Sequence, residues 1–235
     1  MNADGGEKRR LTQDDVYDAT PAWSPDGRRL AFAHTSGLGT EDPDGVIVVM
    51  NADGTVRSEV AHYPGTPEII LDSHPAWSPD GRLIAFTRAT LASDGGLQRV
   101  AIYTVDPTGG RERLLVDDAY EPAWSPDGSR IVFTSIRDRY GETCFEECST
   151  SGEIYVAAAN GTDLRRLTES RADDRSPAWS PDGSHVAFTS DRSNPAGHEN
   201  EIYLIEPDGG ELRRLTTNDV WDLEPDWGGA AAPGH

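Results

Sequence analysis

Long apolar runs, positive charge and cysteine are what this chain of 235 residues has least of. No stretch approaches the ~20 consecutive apolar residues that span a bilayer as a helix, so no helical membrane span is expected. Acidic residues outnumber basic ones, 41 to 21, for a net charge of −20. That field repels a phosphate backbone and excludes nucleic acid as the expected partner. It suits cations, basic proteins or cationic peptides, and equally a solubilising surface or one adapted to salt. No G-x-S-x-G nucleophile elbow, P-loop or dinucleotide fingerprint occurs. The opening "MNADGGEKRRLT" is polar and does not read as a signal peptide, which implies the cytoplasm if Met1 is the true start.

Glycine and proline, by contrast, are plentiful, at 24 and 16 residues. They punctuate a chain of short strands and tight turns. The heptapeptide "PAWSPDG" occurs at Pro21–Gly27, Pro75–Gly81, Pro122–Gly128 and Pro177–Gly183. Its tryptophans, with Trp227 of a decayed copy "EPDWGG", are 54, 47, 55 and 48 residues apart. A period near 50 is a propeller or solenoid signature. Each unit reads as a first strand ending in the motif and an "SPDG" turn. A second strand follows ("RLAFAH", "LIAFTR", "RIVFTS", "HVAFTS"), then a variable connector and a third strand ("GVIVVM", "RVAIYTV", "GEIYVAA", "NEIYLIE"). A Gly turn leads to the fourth ("VRSEVA", "RERLLV", "DLRRLT", "ELRRLT"). Four antiparallel strands per unit, arrayed radially, make an all-β propeller, here a single domain over 1–235. The motif is first a structural device: the indole packs between adjacent sheets, and the turn sets the hairpin register.

The run "PAWSPDG…IAFTS…EIYL…DGG…RRLT" resembles the propeller repeat of TolB-type proteins, a relative of WD-type repeats, over nearly the whole chain. The resemblance implies a periplasmic or extracellular protein of envelope assembly or transport. It implies a non-catalytic scaffold with a membrane-anchored protein partner. Similar propellers stand before the hydrolase domain of prolyl-oligopeptidase-like serine peptidases, or form polysaccharide lyases with a His-rich axial metal site. The scattered histidines here give the lyase reading little support. TolB-type proteins also carry a small α/β domain that nothing here matches. Their propellers usually have six blades. This chain holds four complete units, an orphan fourth strand in "MNADGGEKRRLT" and an orphan first strand in "EPDWGG". It is a fragment of a six-bladed ring, a small ring with a defective seam, or a chain that completes its seam by self-association through unpaired strands.

Topology assigns the short "SPDG" and Gly turns to one face of the disc and the irregular connectors to the other, where function usually resides. In the inter-blade links an aspartate recurs three or four residues before the motif proline: Asp18, Asp72, Asp118, Asp174 and Asp222. Two readings stand. The five carboxylates ring the channel mouth and hold a hard cation such as Ca²⁺, or a Lys or Arg side chain; or each caps a turn through its own backbone. Otherwise no cofactor is expected. Cys144 and Cys148, in "CFEEC", form either a local disulfide across a loop or two free thiols. His34 and His185 sit in or beside second strands and read as packing, whereas His74, immediately before a motif proline, could face the channel.

Overall fold

The computed structural model describes residues 6, 8–13, 16–37, 44–61, 69–92, 94–137, 151–170, 172–193, 200–218 and 220–227. Cys144 and Cys148 lie outside them. Each "SPDG" turn is built the same way. In the first copy Ser24 Oγ donates to Asp26 Oδ1 (2.7 Å) and accepts the Arg29 N–H (2.9 Å). Asp26 Oδ1 also accepts the Arg28 N–H, and Gly27 donates its N–H to the Ser24 carbonyl. The same bonds recur around Ser78, Ser125 and Ser180. The glycine is required because φ is +67° to +70° at Gly27, Gly81, Gly128 and Gly183, a region that penalises a Cβ.

These turns join the first two strands of four meander sheets. Blade 1 comprises β1 (Tyr17–Trp23), β2 (Arg29–Ser36), β3 (Asp44–Asn51) and β4 (Arg57–Ala61). Blade 2 comprises β5 (Ile69–Trp77), β6 (Ile84–Leu91), β7 (Leu97–Val105) and β8 (Arg113–Asp117). Blade 3 comprises β9 (Ala119–Trp124), β10 (Arg130–Ser135), β11 (Glu153–Ala158) and β12 (Arg165–Arg166). Blade 4 comprises β13 (Asp174–Trp179), β14 (Val186–Ser190), β15 (Glu201–Ile205) and β16 (Leu212–Arg214). Within each blade, sequential strands pair antiparallel. One parallel bridge, Gly45 to Leu71, joins blades 1 and 2.

The second and third strands carry the core. Phe86, Phe133, Phe188, Ile84, Ile102, Ile131 and Ile154 are fully buried. Phe86–Tyr103, Phe133–Tyr155 and Phe188–Tyr203 face each other across the ladder with ring centroids 5.9–6.1 Å apart. The indole N–H groups of Trp77, Trp124 and Trp227 donate to the carbonyls of Ala22, Ala76 and Ala178 of the preceding blade, each at 3.2 Å. Adjacent blades are thus coupled by the motif itself, as the repeat predicts. Trp179 departs from this: its N–H is buried without an acceptor among the described residues, while the Arg130 guanidinium lies 4.7 Å from its ring.

At the ends, residues 8–13 and 220–227 carry no ladder of their own, but Leu11 packs on the core of blade 1 and Trp227 bonds the Ala178 carbonyl of blade 4, where the partial end units were expected. One expectation is corrected. Trp23, expected between sheets, is 59% exposed, against 7% for Trp77. No helix among the described residues is long and apolar enough to cross a membrane.

Candidate functional site at the propeller axis

A proline in mid-strand cannot donate to a ladder, and a ladder that meets one must bulge or end. Every motif proline produces such a bulge. The β1–β2 register breaks at Thr20–Pro21, and the equivalent breaks fall at His74–Pro75, Glu121–Pro122 and Ser176–Pro177. The residue before each proline is held left-handed: Thr20, His74, Glu121, Ser176 and also Glu224 have φ between +47° and +54°. For non-glycine residues this is sparsely populated backbone, and clusters of it favour functional sites.

The five strained residues and their prolines line one cavity of about 280 Å³. The bulged N–H groups, lost to the ladder, are satisfied by side-chain oxygens. His74 N–H donates to Thr20 Oγ1 (3.1 Å) and Glu121 N–H to Thr87 Oγ1 (2.9 Å). Ser176 N–H donates to Glu121 Oε2 (2.7 Å), which also accepts the Thr134 hydroxyl (3.0 Å). The lining therefore alternates pyrrolidine rings with polar groups, among them two carboxylates and one imidazole. His74 Nδ1 is bonded to the adjacent Ser73 Oγ (3.0 Å) rather than to Ser176, so serine and histidine share the cavity without forming a nucleophile–base pair.

The five predicted aspartates are not among the cavity-lining residues. They stand two or three positions earlier, and four of them engage side-chain partners. Asp72 is buried and holds the Arg88 guanidinium in a two-pronged pair (2.7 and 2.6 Å); Glu112 grips the same guanidinium. Asp174, fully buried, takes the Ser190 hydroxyl and Arg192. Asp18 meets His34 Nδ1 at 2.7 Å, and Asp222 accepts from Asn218 Nδ2 at 2.8 Å. The Asp118 carbonyl accepts the Ser135 hydroxyl and the Ile136 N–H. Where a cation was expected at Asp72 and Asp174, an arginine already supplies the positive charge. Among the described residues no group of three or more His, Cys, Asp or Glu side chains is placed to hold a metal ion. Burial pushes the Asp72 carboxyl up to about 6, against the stabilising pair with Arg88 and with help from the charge on Glu112.

Sequence reasoning also missed what these arginines do. Arg88 lies 5.3 and 5.0 Å from the rings of Phe86 and Tyr103, and Arg192 lies 5.3 and 5.0 Å from Phe188 and Tyr203. Arg137 caps Tyr155 at 5.1 Å. Arg88 follows its phenylalanine by two residues, Arg137 and Arg192 theirs by four. Side chains from different registers converge on one position over the aromatic pair, so no fixed spacing exposes them. A second device, likewise not foreseen, does carry a fixed spacing in "EIY…RRLT": Glu153 accepts from Thr168 Oγ1, Arg166 and the Ser170 N–H, and Glu201 does the same with Thr216, Arg214 and Asn218.

Radially coupled four-stranded meanders around an axial cavity define a β-propeller repeat protein. A family profile described as the TolB beta propeller domain matches residues 1–144 and 141–231, and the chain belongs to that family. It is 30% identical over 187 residues to the Tol-Pal system protein TolB of Francisella tularensis subsp. mediasiatica, covering 80% of this chain and 38% of that protein. It is 26% identical over 185 residues to the uncharacterized peptidase YuxL of Bacillus subtilis, covering 79% of this chain and 22% of that one. The chain thus spans well under half the length of either relative. Among solved structures, a putative TolB from Agrobacterium tumefaciens superposes with a TM-score of 0.68 at 25% identity, over 92% of this chain and 68% of that one.

Proposed function

We propose that this chain is a non-catalytic propeller scaffold that receives a basic segment of a protein or peptide partner at the mouth of its axial cavity. By likeness to the TolB proteins it would act in the periplasm or outside the cell, in an envelope or transport assembly. The observation that carries the reading is the cavity itself. It is prebuilt, rigidly braced by inter-blade hydrogen bonds, and lined by prolines with Glu121, Glu224 and His74. Apolar walls with a few placed polar groups are the usual make-up of a binding cavity. The chain's net charge of −20 steers cationic partners towards it. The likeness to YuxL favours one second reading, in which the same propeller stands beside a hydrolase domain and the cavity admits extended peptides.

The test is calorimetric titration with a lysine-rich decapeptide and its glutamate counterpart, at low and high salt. Salt-sensitive binding of the cationic peptide alone, weakened several-fold by Glu224→Gln, is expected. Equal binding of both peptides, or none, refutes the proposal. Turnover of a chromogenic peptide substrate by the purified chain contradicts the non-catalytic assignment.

A further inference from the structure

The axial cavity is short of hydrogen-bond donors. Its five prolines carry no N–H and add apolar surface only. The bulged N–H groups of His74, Glu121 and Ser176 are already given to Thr20 Oγ1, Thr87 Oγ1 and Glu121 Oε2. Backbone that could have held an anion is thus consumed within the lining itself. What the walls leave for a ligand is chiefly oxygen, from the carboxylates of Glu121 and Glu224 and the hydroxyls of Thr20 and Ser176.

Glu121 is the most firmly held of these groups. Its own N–H is bonded to Thr87, and its Oε2 accepts both the Thr134 hydroxyl (3.0 Å) and the Ser176 N–H (2.7 Å). Its Oε1 has no hydrogen-bond partner among the described residues, and neither has Ser176 Oγ. Because Oε2 touches the backbone nitrogen of residue 176, these two open oxygens are neighbours on one wall, flanked by Pro122 and Pro177.

We propose that this wall is a lysine-selective subsite. The inference rests on the reading that the cavity receives a basic segment, and it names the side chain that enters. The lysine ammonium donates to Glu121 Oε1 and Ser176 Oγ, and its methylene stem lies along the rings of Pro122 and Pro177. Two features favour an ammonium over a guanidinium. A guanidinium binds a carboxylate best through both oxygens in a planar two-pronged pair, and Oε2 already holds two hydrogen bonds. An ammonium is a compact donor that takes one oxygen from each neighbour. The carboxylate is also fixed before the ligand arrives, so little side-chain freedom is lost on binding. Asp72 shows the converse: it offers both oxygens, at 2.7 and 2.6 Å, and its partner is an arginine.

The test compares the lysine-rich decapeptide with the same peptide in which every lysine is arginine, by calorimetric titration of the whole chain. On an acidic surface without such a subsite, arginine binds at least as tightly as lysine. The expected result is binding of the lysine peptide about fivefold or more tighter than the arginine peptide. Glu121→Gln retains a carbonyl oxygen for the Thr134 and Ser176 bonds and puts an NH2 donor in place of Oε1, so it should abolish the preference. Ser176→Ala retains the N–H that Glu121 holds and removes only the hydroxyl; it should weaken the lysine peptide about threefold and leave the arginine peptide unchanged. Circular dichroism and Tm report whether either variant still folds. Equal or tighter binding of the arginine peptide overturns the subsite while leaving the basic-segment reading intact. A lysine preference that survives in both variants also overturns it, and binding of neither peptide removes both proposals.

Discussion

Trp23 and Trp77 occupy the same position of the same heptapeptide, and only their neighbours differ, so replacing each by alanine isolates the blade–blade contribution. Trp77 is 7% exposed, lies 4.7 Å beneath the Arg29 guanidinium and donates to the Ala22 carbonyl. Emptying such a site costs about 3–5 kcal/mol, the upper part of that range reflecting the carbonyl left without its donor. Trp23 is 59% exposed and has no acceptor for its indole among the described residues. Its loss should cost less than about 1 kcal/mol, as for other surface substitutions. Urea unfolding followed by far-UV circular dichroism measures both. Against a total stability of about 5–15 kcal/mol, Trp77→Ala should shift the midpoint far downward while Trp23→Ala barely moves it. Equal destabilisation by the two substitutions would refute the reasoning, because the motif tryptophans would then act within their own sheets rather than between them.

The buried cluster of Asp72, Arg88 and Glu112 predicts a pH signature. Because burial raises the Asp72 carboxyl from 3.8 to about 6, the folded state binds that proton more tightly than the unfolded state. The stability this contributes is full below about pH 3 and is lost as pH rises through about 6. The difference in unfolding free energy between the wild type and Asp72→Asn should therefore fall by roughly 2 to 2.5 kcal/mol between pH 4 and 7; a difference independent of pH contradicts the assignment. The turn aspartates act oppositely. Hydrogen bonds from Ser125 and Ser129 lower Asp127 to about 2, so its contribution is present above about pH 4 and is lost as pH falls from there through about 2, a slope that Ser125→Ala should flatten in acid titrations. Gly161→Ala places a Cβ against the Leu115 carbonyl at a φ of +84° and should lower Tm by several degrees, whereas Gly95→Ala, with φ of +82° but open space, should lower it less. Millimolar Ca²⁺ should leave Tm unchanged, since arginines already engage Asp72 and Asp174; a shift abolished by Asp72→Ala would restore the carboxylate ring.

The repeat made the blades legible because turn chemistry, strand pattern and spacing agreed four times over. Ser24, Asp26 and Gly27 do in the fold what a turn of that composition must do. The axis was legible only in part. Asp18, Asp72 and Asp174 recur near the axis in sequence, but the bulge at each X-Pro pair shifts the register, so the residue beside the proline enters the cavity and the aspartate meets its cross-strand partner. Of the lining residues His74 was anticipated; Thr20, Glu121, Ser176 and Glu224 were not, because their chemistry is mixed, two hydroxyls and two carboxylates, and what unites them is only a position before proline. The arginines over the aromatic pairs were hidden for the converse reason: they share a place in space but not a spacing in the chain.

The most direct measurement of the central claim is amide chemical-shift mapping of the isotopically labelled chain during titration with the lysine-rich decapeptide. The axial account predicts that the N–H signals of Thr20, His74, Glu121, Ser176 and Glu224 move together and saturate together. Shifts confined to the turns at Asp26, Asp80, Asp127 and Asp182 on the opposite face, with the five axial amides unmoved, would contradict it.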